Sequence, residues 1–135
     1  MALPLRANRG KVRGMMQFSD FPRLRLRVYL GPGDWVGPGK AELLEHIAET
    51  GSIAAAGRRM GMSYRRAWQL VETLNAMFRD PVVESSRGGV RGGGATLTKT
   101  GRAVLAAYRA AEAEARRAAS DPLQDLRALL GPAGD

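Results

Sequence analysis

The feature that most constrains the fold is a pair of helical segments joined by a glycine turn. Ser52 can cap a helix over residues 53–60, and Gly61 ends that helix after about two turns. Ser63 can cap a longer helix that runs to about Phe78, shortly before a proline that cannot continue it. Two capped helices at this spacing predict a helix-turn-helix.

The residues inside this segment also meet the packing demands of two helices that cross closely. Such a crossing needs a small residue midway along the first helix, a glycine in the turn and apolar residues facing inward. Gly57 is the small residue, and Gly61 is the turn glycine. The positions expected to face inward are Ala56, Met60, Met62, Ala67 and Leu70.

The longer helix has an apolar and a polar side when its residues are placed about 100° apart. The apolar side holds Ala67, Leu70, Val71, Leu74 and Phe78. Arg65, Gln69 and Glu72 lie on the opposite side. Because the N-terminal end of a recognition helix enters the major groove, we expect Arg65 to pair with guanine and Gln69 with adenine.

Other polar residues near this helix complete the predicted DNA-binding set. They are Ser52, Arg58, Arg59, Ser63, Tyr64, Arg66, Arg87, Arg91 and Lys99. The alternative is an ordinary surface helix with solvated charges, which four arginines at positions 58, 59, 65 and 66 disfavour. Trp68 lies beside the apolar stripe, so we expect it to pack on the hairpin or the first helix rather than stack on nucleic acid.

A glycine-rich hairpin is expected after the longer helix, over residues 82–98. Its glycines allow the backbone to approach a duplex, while Arg87 and Arg91 can reach phosphates or a narrow minor groove. The hairpin is therefore a candidate wing. The alternatives are a flexible solvent loop with incidental arginines and an RNA-binding segment, for which two RGG repeats are weak support.

The residues before the two helices predict a strand, a loop and a first helix. Over residues 23–30, arginines and Tyr29 alternate with aliphatic residues, which is the period of a half-buried strand with one basic face. Residues 31–39 hold four glycines and two prolines, so we expect a loop. Residues 40–49 form a packing helix with one apolar face, ended by Gly51, and we expect Glu42, Glu45 and Glu49 to face solvent.

A long alanine-rich helix is expected after the hairpin, from Lys99 to about Ala119, with Thr98 as its cap. One stripe of this helix is expected to form a homodimer interface, and it holds Val104, Tyr108, Ala111 and Ala115. The alternative for this stripe is packing on the first helix of the same protomer. Pro122 marks the end of the helix or a break, after which one or two further turns are expected.

The whole pattern predicts a mainly α fold with a small β-hairpin wing, that is, a winged helix-turn-helix with a long C-terminal dimerisation helix. Residues 1–22 lack any helical or strand period, so we expect a flexible basic arm. Residues 23–119 are expected to form the DNA-binding and dimerisation domain. Residues 120–135 are expected to be a short tail.

The charge of the chain favours a nucleic-acid partner. The net charge is +8, from 21 Lys and Arg against 13 Asp and Glu, and the basic residues concentrate in residues 1–27 and 58–109. No segment has the length of a membrane span, and we expect a cytoplasmic protein.

Residues able to carry catalysis are scarce. The chain has no cysteine, and its one histidine, His46, is expected to be a surface or edge residue. Lys99 and Thr100 resemble the end of a phosphate-binding loop, but Thr98 occupies the place of the required glycine. We therefore expect no enzyme, no cofactor and no metal.

One stretch resembles a known family: GPGKAELLEHIAETGSIAAAGRRMGMSYRRAWQLVETLN, followed by a glycine-rich hairpin and LTKTG. It is similar to the N-terminal DNA-binding domain of ModE-type molybdenum-responsive regulators, within the LysR-like winged-helix group. The resemblance covers roughly residues 23–119, and it implies a homodimer held by the first and last helices. It also implies two recognition helices on a palindromic operator near molybdenum transport or enzyme genes. In that family alanine is more usual at the position of Gly57. Glycine is less favourable than alanine inside a helix by about 1 kcal/mol.

The resemblance covers only part of the family pattern. Family members continue into molybdate-binding β-barrel domains, whereas only residues 120–135 follow Ala119 here, so we expect no such domain. This leaves open a constitutive regulator, one that senses through a separate molybdate-sensing partner, and oxyanion binding of another kind.

The resulting expectation is a sequence-specific regulator that binds double-stranded DNA. The main alternative is a non-specific architectural DNA- or RNA-binding protein driven by the basic arm and the wing. A protein-interaction module that has lost DNA binding is disfavoured by the arginines at positions 58, 59, 65 and 66.

Overall fold

The computed structural model describes residues 20–86 and 94–132, which form five helices and four strands. In chain order these are β1 (Val28–Gly31), β2 (Asp34–Val36), α1 (Pro38–Thr50), α2 (Ile53–Arg59), α3 (Tyr64–Met77), β3 (Val83–Ser86), β4 (Gly94–Leu97), α4 (Lys99–Ala118) and α5 (Ser120–Ala128). β1 pairs with β2 and β3 with β4, in two separate antiparallel sheets. The predicted mainly α fold with a β-hairpin wing is confirmed.

The caps and turns predicted for the two central helices are present. The Ser52 hydroxyl oxygen accepts from the Ala55 N–H at 3.0 Å, and the Ser63 hydroxyl oxygen accepts from the Arg66 N–H at 3.1 Å. Gly61 has a φ of 70°, a left-handed conformation that glycine adopts without steric cost. These three residues fix where α2 and α3 begin and how the chain turns between them.

The core lies where α1, α2, α3 and the β3–β4 hairpin meet. α1 contributes Leu43, Leu44 and Ile47, which are fully buried. The other buried members of this cluster are Ile53, Ala56, Ala67, Val71, Leu74, Val82, Val83, Ala95 and Leu97. Because both the helices and the hairpin share this core, it sets the position of α3 relative to the base of the wing.

The N-terminal strand and loop differ from the sequence-based expectation. The strand is shorter than residues 23–30, and the expected loop at 31–39 contains β2. Gly33 has a φ of 81°, which allows a tight reversal, so Tyr29 lies opposite Trp35 across the hairpin. The alternation of exposed arginines with half-buried aliphatic residues over residues 23–28 is nevertheless present.

An asparagine that sequence reasoning did not single out joins α3 to the wing. The Asn75 side-chain oxygen accepts from the Val82 N–H at 2.8 Å and the Val83 N–H at 3.0 Å. Its amide nitrogen donates to the Val83 carbonyl oxygen at 3.2 Å. The Asn75 side chain on α3 thereby provides hydrogen-bond partners for the backbone groups at the start of β3.

The start of α4 lies directly against the segment that enters β3. The Thr98 hydroxyl accepts from the Gly101 N–H at 2.9 Å, as the predicted cap, and donates to the Pro81 carbonyl oxygen at 2.7 Å. A Cβ atom on Gly101 would lie 2.0 Å from the Val82 carbonyl oxygen. Glycine is therefore required at this helix position by close backbone approach.

The stripe on α4 is not the single exposed face that was expected. Tyr108 is only 5% exposed, since it packs with Val36 and Ala41, and its hydroxyl donates to the Leu26 carbonyl oxygen at 2.6 Å. Val104 is half-buried against the core, whereas Ala111 is exposed. The Tyr108 ring therefore packs within its own protomer, partly against Ala41 of α1. For Tyr108, packing on the first helix replaces the expected role in a dimer interface.

Glu45 also differs from its expected role as a solvated residue. The Arg109 guanidinium donates to both Glu45 carboxylate oxygens, at 2.7 and 2.8 Å, and to Glu112 at 2.8 Å. The hydrogen bond from Arg109 is the main cause that lowers the pKa of Glu45, against the opposing effect of burial. The Glu45–Arg109 ion pair links α1 to α4. The periodicity of each helix alone does not predict this contact.

The chain divides into two compact units. One comprises residues 25–112, and the described residues 20–24 and 113–132 belong to the other. In the second unit, Arg127 donates to the Phe21 carbonyl oxygen at 2.7 Å. A break at Ala119 separates α4 from α5, in which Pro122 occupies the first turn. Within the described residues, no helix is both long and apolar enough to cross a membrane.

Candidate nucleic-acid interface

The N-terminal part of α3 presents polar side chains outward from a buried base. Arg65, Arg66 and Gln69 are exposed, as expected for a recognition helix. On the other side, Ala67, Val71 and Leu74 are buried in the core. The helix is thus anchored along one face, and its first two turns offer donors and acceptors that a base edge can pair with.

Two aromatic residues flank these polar side chains. Tyr64 is 53% exposed at the first position of α3, and Trp68 is 39% exposed one turn later. Trp68 is therefore more accessible than expected for a residue packed on the hairpin or the first helix. Both rings lie at the end of α3 that carries Arg65.

The close approach of α2 and α3 depends on Gly57. A Cβ atom on Gly57 would lie 3.0 Å from the Ala67 Cβ and 3.4 Å from the Met62 carbonyl oxygen. Gly57, Ala56 and Ala67 are all buried at this crossing. Of the five positions expected to face inward, Ala56 and Ala67 are buried, and Met60, Met62 and Leu70 are partly buried against the same core.

The two capping serines have one hydrogen-bonding function left. The hydroxyl oxygens of Ser52 and Ser63 accept from helix N–H groups, while each hydroxyl hydrogen remains able to donate. Ser52 is half-buried and Ser63 is exposed. Each can add a donor to a phosphate without giving up its cap.

The two adjacent arginines at the end of α2 have different environments. Arg59 donates to the Glu49 carboxylate at 2.6 Å and lies 3.3 Å from Nδ1 of His46. Arg58 is exposed at the same helix end. The Glu49 ion pair partly neutralises Arg59, so Arg58 is the better candidate for a phosphate contact.

The base of the wing lies beside the helix-turn-helix. The Ala95 N–H donates to the Gly51 carbonyl oxygen at 2.9 Å, which ties β4 to the segment between α1 and α2. Thr96 and Lys99 are exposed next to this junction. Arg87 and Arg91, the expected wing arginines, lie outside the described residues.

Sequence reasoning missed a cationic cluster around Trp35. The Arg27 guanidinium carbon lies 3.8 Å and the Lys40 Nζ 3.5 Å from the centroid of the Trp35 ring. The pKa of Lys40 is lowered mainly by burial and also by Arg27 and Arg66, while Asp34 opposes that shift. The alternation of arginines in residues 23–27 was the available signal for Arg27, but nothing in the sequence indicated that Lys40 is buried.

Residues with catalytic or metal-binding chemistry do not gather in this region. His46 lies half-buried on α1 beside Arg59 and Glu49. Over residues 20–86 and 94–132, no three His, Cys, Asp or Glu side chains form a group that could hold a metal ion. The exposed residues assigned to DNA binding on α2 and α3 offer guanidinium, carboxamide, hydroxyl and aromatic groups.

Comparison with known proteins gives a match over this same region. Residues 39–102 match the family described as bacterial regulatory helix-turn-helix protein, lysR family. The matched span begins at the start of α1 and ends early in α4. It therefore contains both helices of the helix-turn-helix and the β3–β4 hairpin.

Individual relatives are longer than this chain. The chain is 41% identical over 105 residues to the molybdenum-pterin-binding protein MopB of Rhodobacter capsulatus, which covers 72% of this chain and 39% of that protein. It is 37% identical to the molybdenum transport protein ModE of Azotobacter vinelandii, over 79% of this chain and 40% of that protein. For the DNA-binding transcriptional dual regulator ModE of Escherichia coli, the identity is 37%, over 68% of this chain and 35% of that protein.

The chain thus spans 35% to 40% of the length of these relatives. Among solved structures, a mutant of Lactococcus lactis ZitR superposes with a TM-score of 0.49 at 18% identity, covering 93% of this chain and 84% of that one.

Proposed function

We propose that this chain is a transcriptional regulator that binds double-stranded DNA in a sequence-specific manner, because residues 39–102 match the lysR-type helix-turn-helix family and because ModE proteins are among its relatives. The observation that carries the proposal is the exposed, serine-capped start of α3, where Arg65, Arg66 and Gln69 project from a helix whose other face is buried. Such a helix can lie in the major groove with its first turns against the base edges.

Base reading is assigned to Arg65 and Gln69. A guanidinium can donate two parallel hydrogen bonds to O6 and N7 of guanine, and a carboxamide can pair with N6 and N7 of adenine. Both side chains are exposed, and they are one helical turn apart on the same side of α3. Together they would read neighbouring base pairs within one half-site.

The remaining predicted residues are assigned to the phosphate backbone. Positioning contacts of this kind come from arginine, lysine and hydroxyl side chains, and they supply affinity with little sequence information. In this proposal they come from Ser52, Arg58, Ser63, Tyr64, Arg66 and Lys99, with Arg87 and Arg91 on the wing and a weaker contribution from Arg59.

The target genes are proposed to serve molybdenum supply or molybdenum enzymes. Support comes from the relatives, whose names describe molybdenum transport and molybdenum-pterin binding. In this proposal the 135 residues bind DNA, and a separate molybdate-binding domain or partner senses the effector. We assign no catalytic activity and place the protein in the cytoplasm, where bacterial DNA lies.

A homodimer is part of the proposal. One recognition helix reads only a few base pairs, and a second copy related by twofold symmetry would read the other half of an inverted repeat. Apolar side chains suited to such an interface are exposed on and just after α5, at Leu126, Leu129 and Leu130. The dimer is assigned to these leucines in place of the buried Tyr108, with the exposed Ala111 and the half-buried Ala115 as further candidates.

Selection of bound fragments from genomic DNA of the source organism tests the function directly. A sequence-specific regulator should enrich a shared inverted repeat and bind it at least about a thousandfold more tightly than random duplex. Arg65→Ala should then cost about 1 to 3 kcal/mol on that repeat and relax the preference at one base position.

Arg79→Ala is the matched control for Arg65→Ala. Arg79 is exposed two residues beyond the C-terminal end of α3, so its loss changes the charge equally but should leave the base preference intact. If the wild type enriches no shared sequence and binds all duplexes alike, the protein is the non-specific architectural alternative. If Arg65→Ala keeps the full base preference, α3 is not the reading helix.

A further inference from the structure

The β1–β2 hairpin carries an ordered arginine on its exposed face. Arg27 and Tyr29 lie two residues apart, and Tyr29 lies opposite Trp35, so all three side chains project from the same face of the hairpin. The Arg27 guanidinium stacks over the Trp35 ring at 3.8 Å and donates to the Tyr29 hydroxyl at 3.2 Å. The aromatic residues hold this guanidinium in place before any ligand binds.

Stacking leaves the hydrogen-bonding edge of Arg27 available. A guanidinium has five N–H donors in its plane, and the Tyr29 hydroxyl uses one of them. Because Trp35 contacts the flat face of the group, the remaining donors can still reach an acceptor such as a phosphate oxygen. A side chain that is already ordered also loses less conformational entropy on binding.

The positive charge beneath Arg27 is unusual because it is buried. Lys40 is only 4% exposed, donates to the Trp35 carbonyl oxygen at 3.1 Å, and contacts the same ring as Arg27. Its pKa is lowered by burial, by Arg27 and by Arg66, and raised by Asp34. Three cations with one nearby carboxylate leave an excess of positive charge, which an anion at the surface would offset.

The same cluster adjoins the recognition helix. Lys40 lies in the first turn of α1 and Arg66 in the first turn of α3, and these two helices pack in the same core through Leu43, Leu44 and Ile47 of α1 and Ala67, Val71 and Leu74 of α3. Arg27, Lys40 and Arg66 all belong to the unit formed by residues 25–112. The basic residues of the hairpin and the exposed N-terminal end of α3 are therefore parts of one compact unit.

We propose that the β1–β2 hairpin is a second backbone-contacting element, in which Arg27, held by Trp35 and Tyr29, donates to a DNA phosphate beside the segment read by α3. This inference rests on the proposed function and extends it to a part of the chain that precedes the matched family region. Arg25, exposed two residues before Arg27, would add charge to the same contact. Lys40 and Trp35 act as positioning residues beneath it.

The test compares Arg27→Gln with wild type on the operator duplex recovered by genomic selection and on a random duplex of equal length. Loss of one phosphate contact should lower the slope of log K against log salt by about 1 on both duplexes, and should weaken binding roughly fivefold to tenfold near 0.1 M salt. Arg27→Lys retains the charge, so the slope should return while affinity recovers only in part, because a lysine ammonium lacks the flat stacking surface.

Ethylation of individual phosphates then tests for a direct contact. In the wild type, ethylation should interfere with binding at several phosphates per half-site, and in Arg27→Gln one of these positions should become indifferent while the others still interfere. Arg79→Gln is the control, since α3 is about 21 Å long and Arg79 lies beyond its far end. It should keep the wild-type slope and the wild-type interference pattern.

The outcomes separate this inference from the proposed function. If Arg27→Gln keeps the wild-type salt slope and ethylation pattern while Arg65→Ala loses base preference, the hairpin contact is overturned and the DNA-reading function stands. If the wild type binds neither duplex, both are overturned. Thermal unfolding of Arg27→Gln should match the wild type, which shows that any loss arises at the interface.

Discussion

Gly57 of α2 faces Ala67 of α3 so closely that a Cβ atom on Gly57 would lie only 3.0 Å from the Ala67 Cβ. Ala67 is buried, and its methyl group is attached directly to the α3 backbone. The methyl group can therefore move away from a larger residue 57 only if the whole helix shifts. The crossing of the two helices, and hence the direction in which Arg65 and Gln69 project, is set by the size of residue 57.

Gly57→Val should therefore force the two helices apart. Overpacking of this kind costs about 1 to 3 kcal/mol, which chemical denaturation measures as a lower free energy of unfolding. DNA affinity should fall further than stability alone accounts for, because α3 is displaced. Gly39→Val is the control: nothing lies within 4 Å of a Cβ atom at Gly39, so that variant should stay near wild type.

Gly101→Ala should be the more damaging glycine substitution. The added methyl group would lie 2.0 Å from the Val82 carbonyl oxygen, and backbone atoms cannot rotate away as a flexible side chain can. We expect a loss of at least about 3 kcal/mol, seen as a large fall in Tm or a failure to accumulate folded protein. Wild-type stability of Gly101→Ala would contradict the close packing of α4 on the chain before β3.

Asn75→Ala should loosen the join between α3 and the wing. It removes the acceptor for the Val82 and Val83 N–H groups and the donor to the Val83 carbonyl oxygen. Leaving such groups unsatisfied costs about 2 kcal/mol, and hydrogen exchange at Val82 and Val83 should become faster. Thr73→Ala, which removes an exposed hydroxyl on the same helix, should change neither measurement much.

The Glu45–Arg109 pair gives a prediction about pH. The pKa of Glu45 is lowered by the hydrogen bond from Arg109, so the folded state binds a proton there less readily than the unfolded state. The pair therefore contributes stability above the ordinary pKa of 4.5, and that contribution is lost as the pH falls through the lower folded-state pKa.

Glu45→Gln is the matched substitution for this prediction. Its free energy of unfolding should lie below that of wild type at pH 7, and the difference should shrink as the pH is lowered below 4.5. Urea denaturation at a series of pH values measures it. A difference that stays constant from pH 7 to pH 3 would show that the pair is not the acid-sensitive contact.

The central helices were predictable from sequence because local signals and packing signals agree there. Ser52, Ser63 and Gly61 mark helix ends through hydrogen bonds and backbone conformation that involve only neighbouring residues. The period of Ala67, Val71 and Leu74 then identifies the buried face of α3. Where both kinds of signal coincide, sequence determines the element and its orientation.

The errors arose where a contact joins residues distant in sequence. The Tyr108 hydroxyl reaches the carbonyl oxygen of Leu26, and Arg109 reaches Glu45, and neither pairing follows from helical periodicity. The expected loop at 31–39 contains β2 because Gly33 permits a tight reversal, although many glycines and prolines usually signal irregular structure. The burial of Lys40 is an error of a different kind, because Trp35, which covers it, is only five residues away but belongs to another element.

The last prediction concerns assembly through the C-terminal end of α5, where three leucines are exposed to solvent. Leu126, Leu129 and Leu130 are 63%, 81% and 61% exposed, and together they cover one side of the helix end. A second copy would bury them, so Leu126→Asp should place a charge in that interface and shift sedimentation towards the monomer. Gln124→Asp adds the same charge to the same helix about 200° away, and it should leave the sedimentation of the wild type unchanged. Operator binding by Leu126→Asp should weaken sharply, since each monomer then holds only one half-site, whereas equal sedimentation of the two variants and the wild type would remove α5 from the dimer interface.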